Sequence, residues 1–224
     1  MKIFWSIFLV CGLLLTGPAA TLGAEVVKLP PPAYKGTVSV EEALKARRSV
    51  RQYASRSLNL QQVSQLLWAA DGLNDPQGKR TAPAARAAYA VDLYLVAGER
   101  GVADLAPGVY RYLVADQALE QVAKGEFRAK VAQACHHQAW MKEAPAIVVI
   151  TGDYAKCAVK NGAKAPMYTH MESGFVAQNL FLQAGALGLG AGIAGGFEEQ
   201  ALAQALKLPK EDQPLLVLPV GNKQ

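Results

Sequence analysis

Arg47-Arg48-Ser49-Val50-Arg51 puts three guanidiniums and a hydroxyl within five residues. The planar fork of arginine bonds phosphate oxygens in pairs, so this run suits a phosphate ester. The same cations also complement the carbonyl end of a helix, and local sequence supports the two readings equally. A second feature is the series Gly185, Gly188, Gly190, Gly192, Gly195 and Gly196, ahead of Phe197. Glycine accepts positive φ and lets backbone N–H groups approach a flat ligand closely. The series does not follow a strand and open a helix, as a dinucleotide fingerprint must, so a tight helix-to-strand turn also explains it. The third set is Cys135, His136, His137, Cys157 and His170. Consecutive side chains on a helix diverge by about 100° and no carboxylate stands beside the histidines, so no metal is expected. Cys135 and Cys157 could pair in an oxidising compartment, but spacing does not decide it. Neither a GxSxG elbow nor an HExxH helix occurs, which removes the usual hydrolase signals.

Elements must bring these groups together. The chain has 224 residues, 51% apolar and 18% charged, enough for one packed domain and unlike a disordered tail. Net charge is +5, but the 23 Lys and Arg are dispersed, which argues against nucleic-acid binding. Residues 1–24 carry Lys2, the apolar run IFWSIFLVCGLLL, then Gly17-Pro18 and small residues to Ala24. This is the pattern of a signal peptide, with export expected to the periplasm and a mature start near Glu25. The alternative is an uncleaved segment that tethers the chain to a membrane. Residues 25–37, with Pro30, Pro31 and Pro32, read as an extended arm, and 38–224 as the domain.

Ser39 with Glu42 marks a helix start running to about Arg48; Asn59 with Gln62 marks another, ended by Gly72. An exposed loop is expected over 71–86. Strands are expected over Ala88 to Ala97, Val109 to Leu113, Ala146 to Thr151 and Leu215 to Val220. Helices are expected over Glu126 to Trp140, Tyr168 to Leu187 and Glu198 to Leu206, giving a mixed α+β domain.

Taken in order, the motifs resemble those of the FMN-dependent nitroreductase superfamily, most closely its SagB-type branch, which includes azoline dehydrogenases of peptide biosynthesis. The resemblance is carried by ARRSVRQY (Ala46 to Tyr53), RTAPAARAAYAVDLYLV (Arg80 to Val96), PGVYRY (Pro107 to Tyr112), HMESGFVAQNLFLQAGALGLGAGIAGGF (His170 to Phe197) and LLVLPVGNK (Leu215 to Lys223). It implies a mostly antiparallel central sheet wrapped by helices, and an intertwined homodimer with FMN at both interface sites. It implies that Arg47, Arg48 and Ser49 hold the FMN phosphate and ribityl chain, with Arg51 reaching the ribityl or the pyrimidine edge. Lys223 matches a basic residue that pairs with the same phosphate. Pro83 and Ala84 fall in a loop laid beside the isoalloxazine by the partner subunit. Gly195 and Gly196 match backbone facing flavin N5 and O4, with Leu189 and Gly190 on the approach. Tyr168 stands where a Tyr is linked to catalysis.

The chain departs from the pattern at Ala84 in place of Ser, at Arg86 in place of Gly, and at Met167 in place of the basic residue expected before Tyr168, although Lys164 is near. The reading is therefore an exported FMN-dependent oxidoreductase passing hydride through flavin N5 to or from a small organic substrate. Export away from NAD(P)H favours an organic donor, with oxygen, quinone or another carrier reoxidising the flavin. The rival reading, motivated by those departures, is a flavin-binding module without catalysis.

Overall fold

The computed structural model describes residues 25–224, so the apolar leader expected over 1–24 lies outside the described residues. The Pro-rich arm begins with a short strand, β1 (Val26–Lys28). Helices α1 (Val40–Ala46) and α2 (Leu60–Asp71) follow, each opened by the reciprocal capping bonds expected of Ser39 with Glu42 and Asn59 with Gln62. Helix α1 is shorter than the sequence suggests, because Arg47 already has ψ 117°. Strands β2 (Val91–Ala97), β3 (Gly108–Leu113) and β4 (Ala118–Lys124) come next, then helix α3 (Arg128–Ala134) and strand β5 (Ala146–Gly152). The chain continues through α4 (Tyr154–Asn161), α5 (Ala165–Ala186), β6 (Leu189–Ala191), α6 (Glu199–Leu206) and β7 (Gln213–Asn222).

The strands form one sheet of order β1-β4-β3-β2-β5-β7-β6. Every neighbouring pair is antiparallel, as expected. Side chains alternate across a strand, and both faces of this sheet are covered. Leu93, Leu95, Val148 and Ile150 pack with Leu66 and Leu67 of α2 and Val176 and Leu180 of α5. Tyr94, Val96, Ile147 and Val149 pack with Val131 of α3 and Leu202 and Leu206 of α6. Strand β5 is buried along its whole length for this reason, which is why it reads as a continuous apolar run.

Three expectations need correction. The helix expected over Glu126 to Trp140 breaks after Ala134, because His136 and His137 both take left-handed backbone, φ 54° and 59°, before a 3-10 turn over Ala139–Glu143. Strand β2 starts at Val91 rather than Ala88, since Tyr89 has φ 45°. Strand β4, α4 and β6 add to the expected set. Cys135 and Cys157 are both free thiols, buried in different clusters.

Helix α5 has two apolar faces. Val176, Ala177, Leu180, Phe181 and Ala184 are buried against the sheet, while Met167, Met171 and Phe175 remain about half exposed. No described helix is long and apolar enough to cross a membrane.

Candidate functional site

The segment after α1 runs beside the β6 end of the sheet. Ser49 bridges to Ala191, and Tyr53 bridges to Lys223 just past β7. Val50 N–H donates to Ala191 O at 2.8 Å, and Ala54 N–H to Asn222 O at 2.9 Å. Within the sheet, Leu189 pairs with Asn222 and Gly190 with Gly221. Residues 47–53, 189–196 and 221–223, far apart in sequence, therefore form one strip, buried from Leu189 to Gly192 and open at Gly195 and Gly196. Tyr53 pins the strip: its buried hydroxyl lies 2.8 Å from Val50 O and 3.0 Å from Pro219 O, and its ring stacks on Trp140. Burial pushes the Tyr53 phenol well above its ordinary range.

The cations on this strip, Arg47, Arg48, Arg51 and Lys223, have no carboxylate partners among the described residues. Arg47 lies 5.4 Å over the Phe181 ring and Arg51 5.6 Å over Trp140, so aromatic faces hold their planes in place. Arg48 behaves differently: its Nη1 donates to Lys45 O and Arg47 O at the end of its own helix. Of the two readings open for the arginine run, Arg48 adopts the helix-end one.

The glycines also divide. A Cβ on Gly190 would meet the Val50 side chain at 2.7 Å, and one on Gly192 would meet Trp140 at the same distance, so these two let the strip close on itself. Gly195 and Gly196 are exposed, with the nearest atoms 3.7 Å from an added Cβ. Among the described residues their N–H groups donate to no acceptor, while neighbours Ala194 and Glu198 are bonded to Val217 and Ala134. Two unspent donors on side-chain-free backbone, on the same strip as cations without carboxylate partners, fit a ligand with an anionic end and a flat polar edge. A flavin mononucleotide has both, so these residues fit it.

Pro83, Ala84 and Tyr168 lie apart from this strip. The loop carrying Pro83 and Ala84 leads into a 3-10 turn, Ala85–Ala87, tied to α4 rather than to β6. Arg86 Nη1 donates to Lys160 O at 2.8 Å, Lys160 Nζ to Ala87 O at 2.7 Å and Asn161 Nδ2 to Ala85 O at 3.2 Å. Arg86 has φ 53°, the left-handed backbone that glycine adopts most easily. Tyr168 is half-buried against Ala88, Ala90, Cys157 and Ala165, next to the same loop. At the loop's other end, Arg80 pairs with Asp71, and burial raises the Asp71 carboxyl to about 7 despite that cation.

Sequence reasoning passed over Tyr53, Trp140 and Tyr154, and weighed His170 only as a metal ligand. Tyr53 closes the ARRSVRQY motif and could have been found there. The others meet the strip only through tertiary contacts, and nothing local marks them.

Residues 44–222 match the Nitroreductase family. A protein of Methanocaldococcus jannaschii assigned as a nitroreductase is 35% identical over 186 residues, covering 83% of this chain and 92% of that one. Among solved structures, a Ralstonia eutropha protein assigned as a nitroreductase is 26% identical with a TM-score of 0.75, covering 89% of this chain and 90% of that one. The NADPH:FMN oxidoreductase of Vibrio harveyi, complexed with NAD+, shares the fold at 20% identity and a TM-score of 0.60, covering 83% of this chain and 69% of that one.

Proposed function

The chain belongs to the nitroreductase family, and from that premise we propose that it is an FMN-dependent oxidoreductase holding FMN along the strip from Arg47 to Gly196. The observation that carries this is the coincidence of cations without carboxylate partners with the free N–H groups of Gly195 and Gly196. Arg47, Ser49 and Lys223 hold the phosphate, Arg51 the ribityl chain or pyrimidine edge, and the two glycines offer N–H donors to the N5 and O4 edge. Bound FMN supplies hydride acceptance and donation at N5, so no nucleophilic side chain is required. Donors fixed at the edge where negative charge gathers favour the reduced cofactor.

The second cluster belongs to the same site through a homodimer. Pro83 and Ala84 lie in a loop tied to α4, with Tyr168 beside it, and in this reading they meet the partner's strip. The exposed Met167, Met171 and Phe175 on α5 supply apolar surface for the contact. The departure at Arg86 does not weigh against this loop, because Arg86 keeps the left-handed backbone that Gly would provide. Tyr168 is the candidate catalytic residue of a SagB-type dehydrogenase.

The leader over 1–24 supports an exported, periplasmic enzyme drawing hydride from an organic substrate rather than NAD(P)H. Turnover of purified holoenzyme distinguishes the two: the reading expects slow flavin reduction by NADPH, and rapid steady-state NADPH oxidation contradicts it. Arg47→Ala with Ser49→Ala tests the cofactor assignment directly, with loss of flavin retention on gel filtration as the expected result.

A further inference from the structure

Beside Gly195 lies a cavity of about 330 Å³. Phe197, Leu215 and Leu216 form its apolar side, and Tyr154, His170 and Glu199 its polar side. Four elements contribute: Tyr154 opens α4, His170 lies early in α5, Glu199 opens α6 and Leu215 and Leu216 lie on β7. Gly195 adds bare backbone, the same residue whose N–H is free, so cavity and strip share a wall.

Tyr154 Oη and His170 Nε2 are 3.0 Å apart. Among the described residues neither side chain has another hydrogen bond, so the pair ties down no loop and caps no helix. His170 is exposed and Tyr154 half-buried, and both line the cavity, so the pair links it to water. Burial, reinforced by the Glu199 carboxylate, raises the Tyr154 phenol, so it remains a proton donor at neutral pH.

We propose that this cavity receives the substrate and that Tyr154 and His170 exchange the proton that accompanies hydride transfer. The proposal rests on the flavin reading above. The matching substrate is small, of roughly single-ring size for a cavity at the low end of ligand pockets, and its hydride-bearing carbon carries a hydroxyl or an amine. On oxidation the C–H bond breaks and its electron pair leaves with the hydrogen to the flavin. The O–H or N–H bond breaks too, and its electrons become the second bond of C=O or C=N. The released proton goes to Tyr154 Oη as the Tyr154 proton passes to His170 Nε2, and the exposed imidazolium returns it to water. Reduction of a carbonyl runs the same path backwards, with His170 supplying the proton, whereas a quinone takes hydride at one oxygen and that proton at the other.

The test uses FMN-loaded full chain carrying Tyr154→Phe or His170→Gln, with Val159→Ala, an exposed position on α4, as control. Binding of phenol to the oxidised protein is read from the flavin absorbance band. Reoxidation of dithionite-reduced protein by 1,4-benzoquinone is followed without oxygen. Tyr154→Phe should weaken phenol binding about tenfold and slow reoxidation at saturating quinone about a hundredfold, His170→Gln should slow reoxidation with a smaller effect on phenol, and FMN affinity should stay unchanged in both. Wild-type phenol affinity and reoxidation in both variants, with FMN bound, overturn the proposal and leave the flavin reading standing. A wild-type chain that binds no FMN overturns both.

Discussion

Arg47 and Lys223 carry free charge onto the strip, whereas Arg48 spends its guanidinium on its own helix end. The three arginine positions are therefore unequal. Arg47→Ala or Lys223→Ala should weaken FMN binding roughly tenfold or more, the loss expected for one charge-assisted bond, and Arg48→Ala should cost less; flavin fluorescence titration measures the order. Asp71 bears on stability instead. Its carboxyl sits at about 7 in the fold against an ordinary 3.8, because burial outweighs the attraction of Arg80. Between those values the folded chain keeps a proton that the unfolded chain has released, so stability falls as pH rises through that window. Burial shifts Glu172 and Asp212 in the same direction, which steepens the slope. Asp71→Asn should flatten it, as read from urea midpoints at about pH 5 and about pH 7. At this scale the sequence disclosed the arginines and glycines, because their types are unusual in series. It did not separate Gly190, filled by Val50, from Gly195, left open, since that distinction depends on what packs across from each.

Helix α5 and strand β6 are the elements on which the site depends. Gly190 must lack a side chain for the Ser49 segment to lie along β6, since an added Cβ falls 2.7 Å from Val50. Gly190→Ala should therefore destabilise the fold by about 1–3 kcal/mol, and adding Val50→Ala should recover much of it; thermal midpoints of both variants check this. The outer face of α5 makes a separate prediction. Phe175→Glu places a charge on the half-exposed apolar face and should shift sedimentation from dimer to monomer without unfolding the chain. Elements with strong local signals were legible: both capped helices, the apolar β5 and the long α5. Strand β4 reads ALEQVAK and α4 reads YAKCAVKN, short segments of mixed pattern, and their partners rather than their own sequences define them. The break after α3 was hidden for a related reason: His136 and His137 adopt left-handed backbone without a glycine to announce it.

At the scale of the molecule, the antiparallel sheet brings residues 47–53 onto the strand pair formed by 189–191 and 213–222, so the carboxyl end of the chain completes a site begun near its amino end. The order of motifs along the sequence anticipated that closure, but the second cluster of Pro83, Ala84 and Tyr168 stands apart within one chain. The proposed flavin between two copies would reconcile them. The decisive measurement is gel filtration of the protein after FMN addition, with absorbance and mass read across the same peak. The account predicts a yellow dimer holding about one FMN per chain, with the colour lost on Arg47→Ala and Ser49→Ala. A colourless peak at saturating FMN, from protein that is folded by circular dichroism, would contradict it.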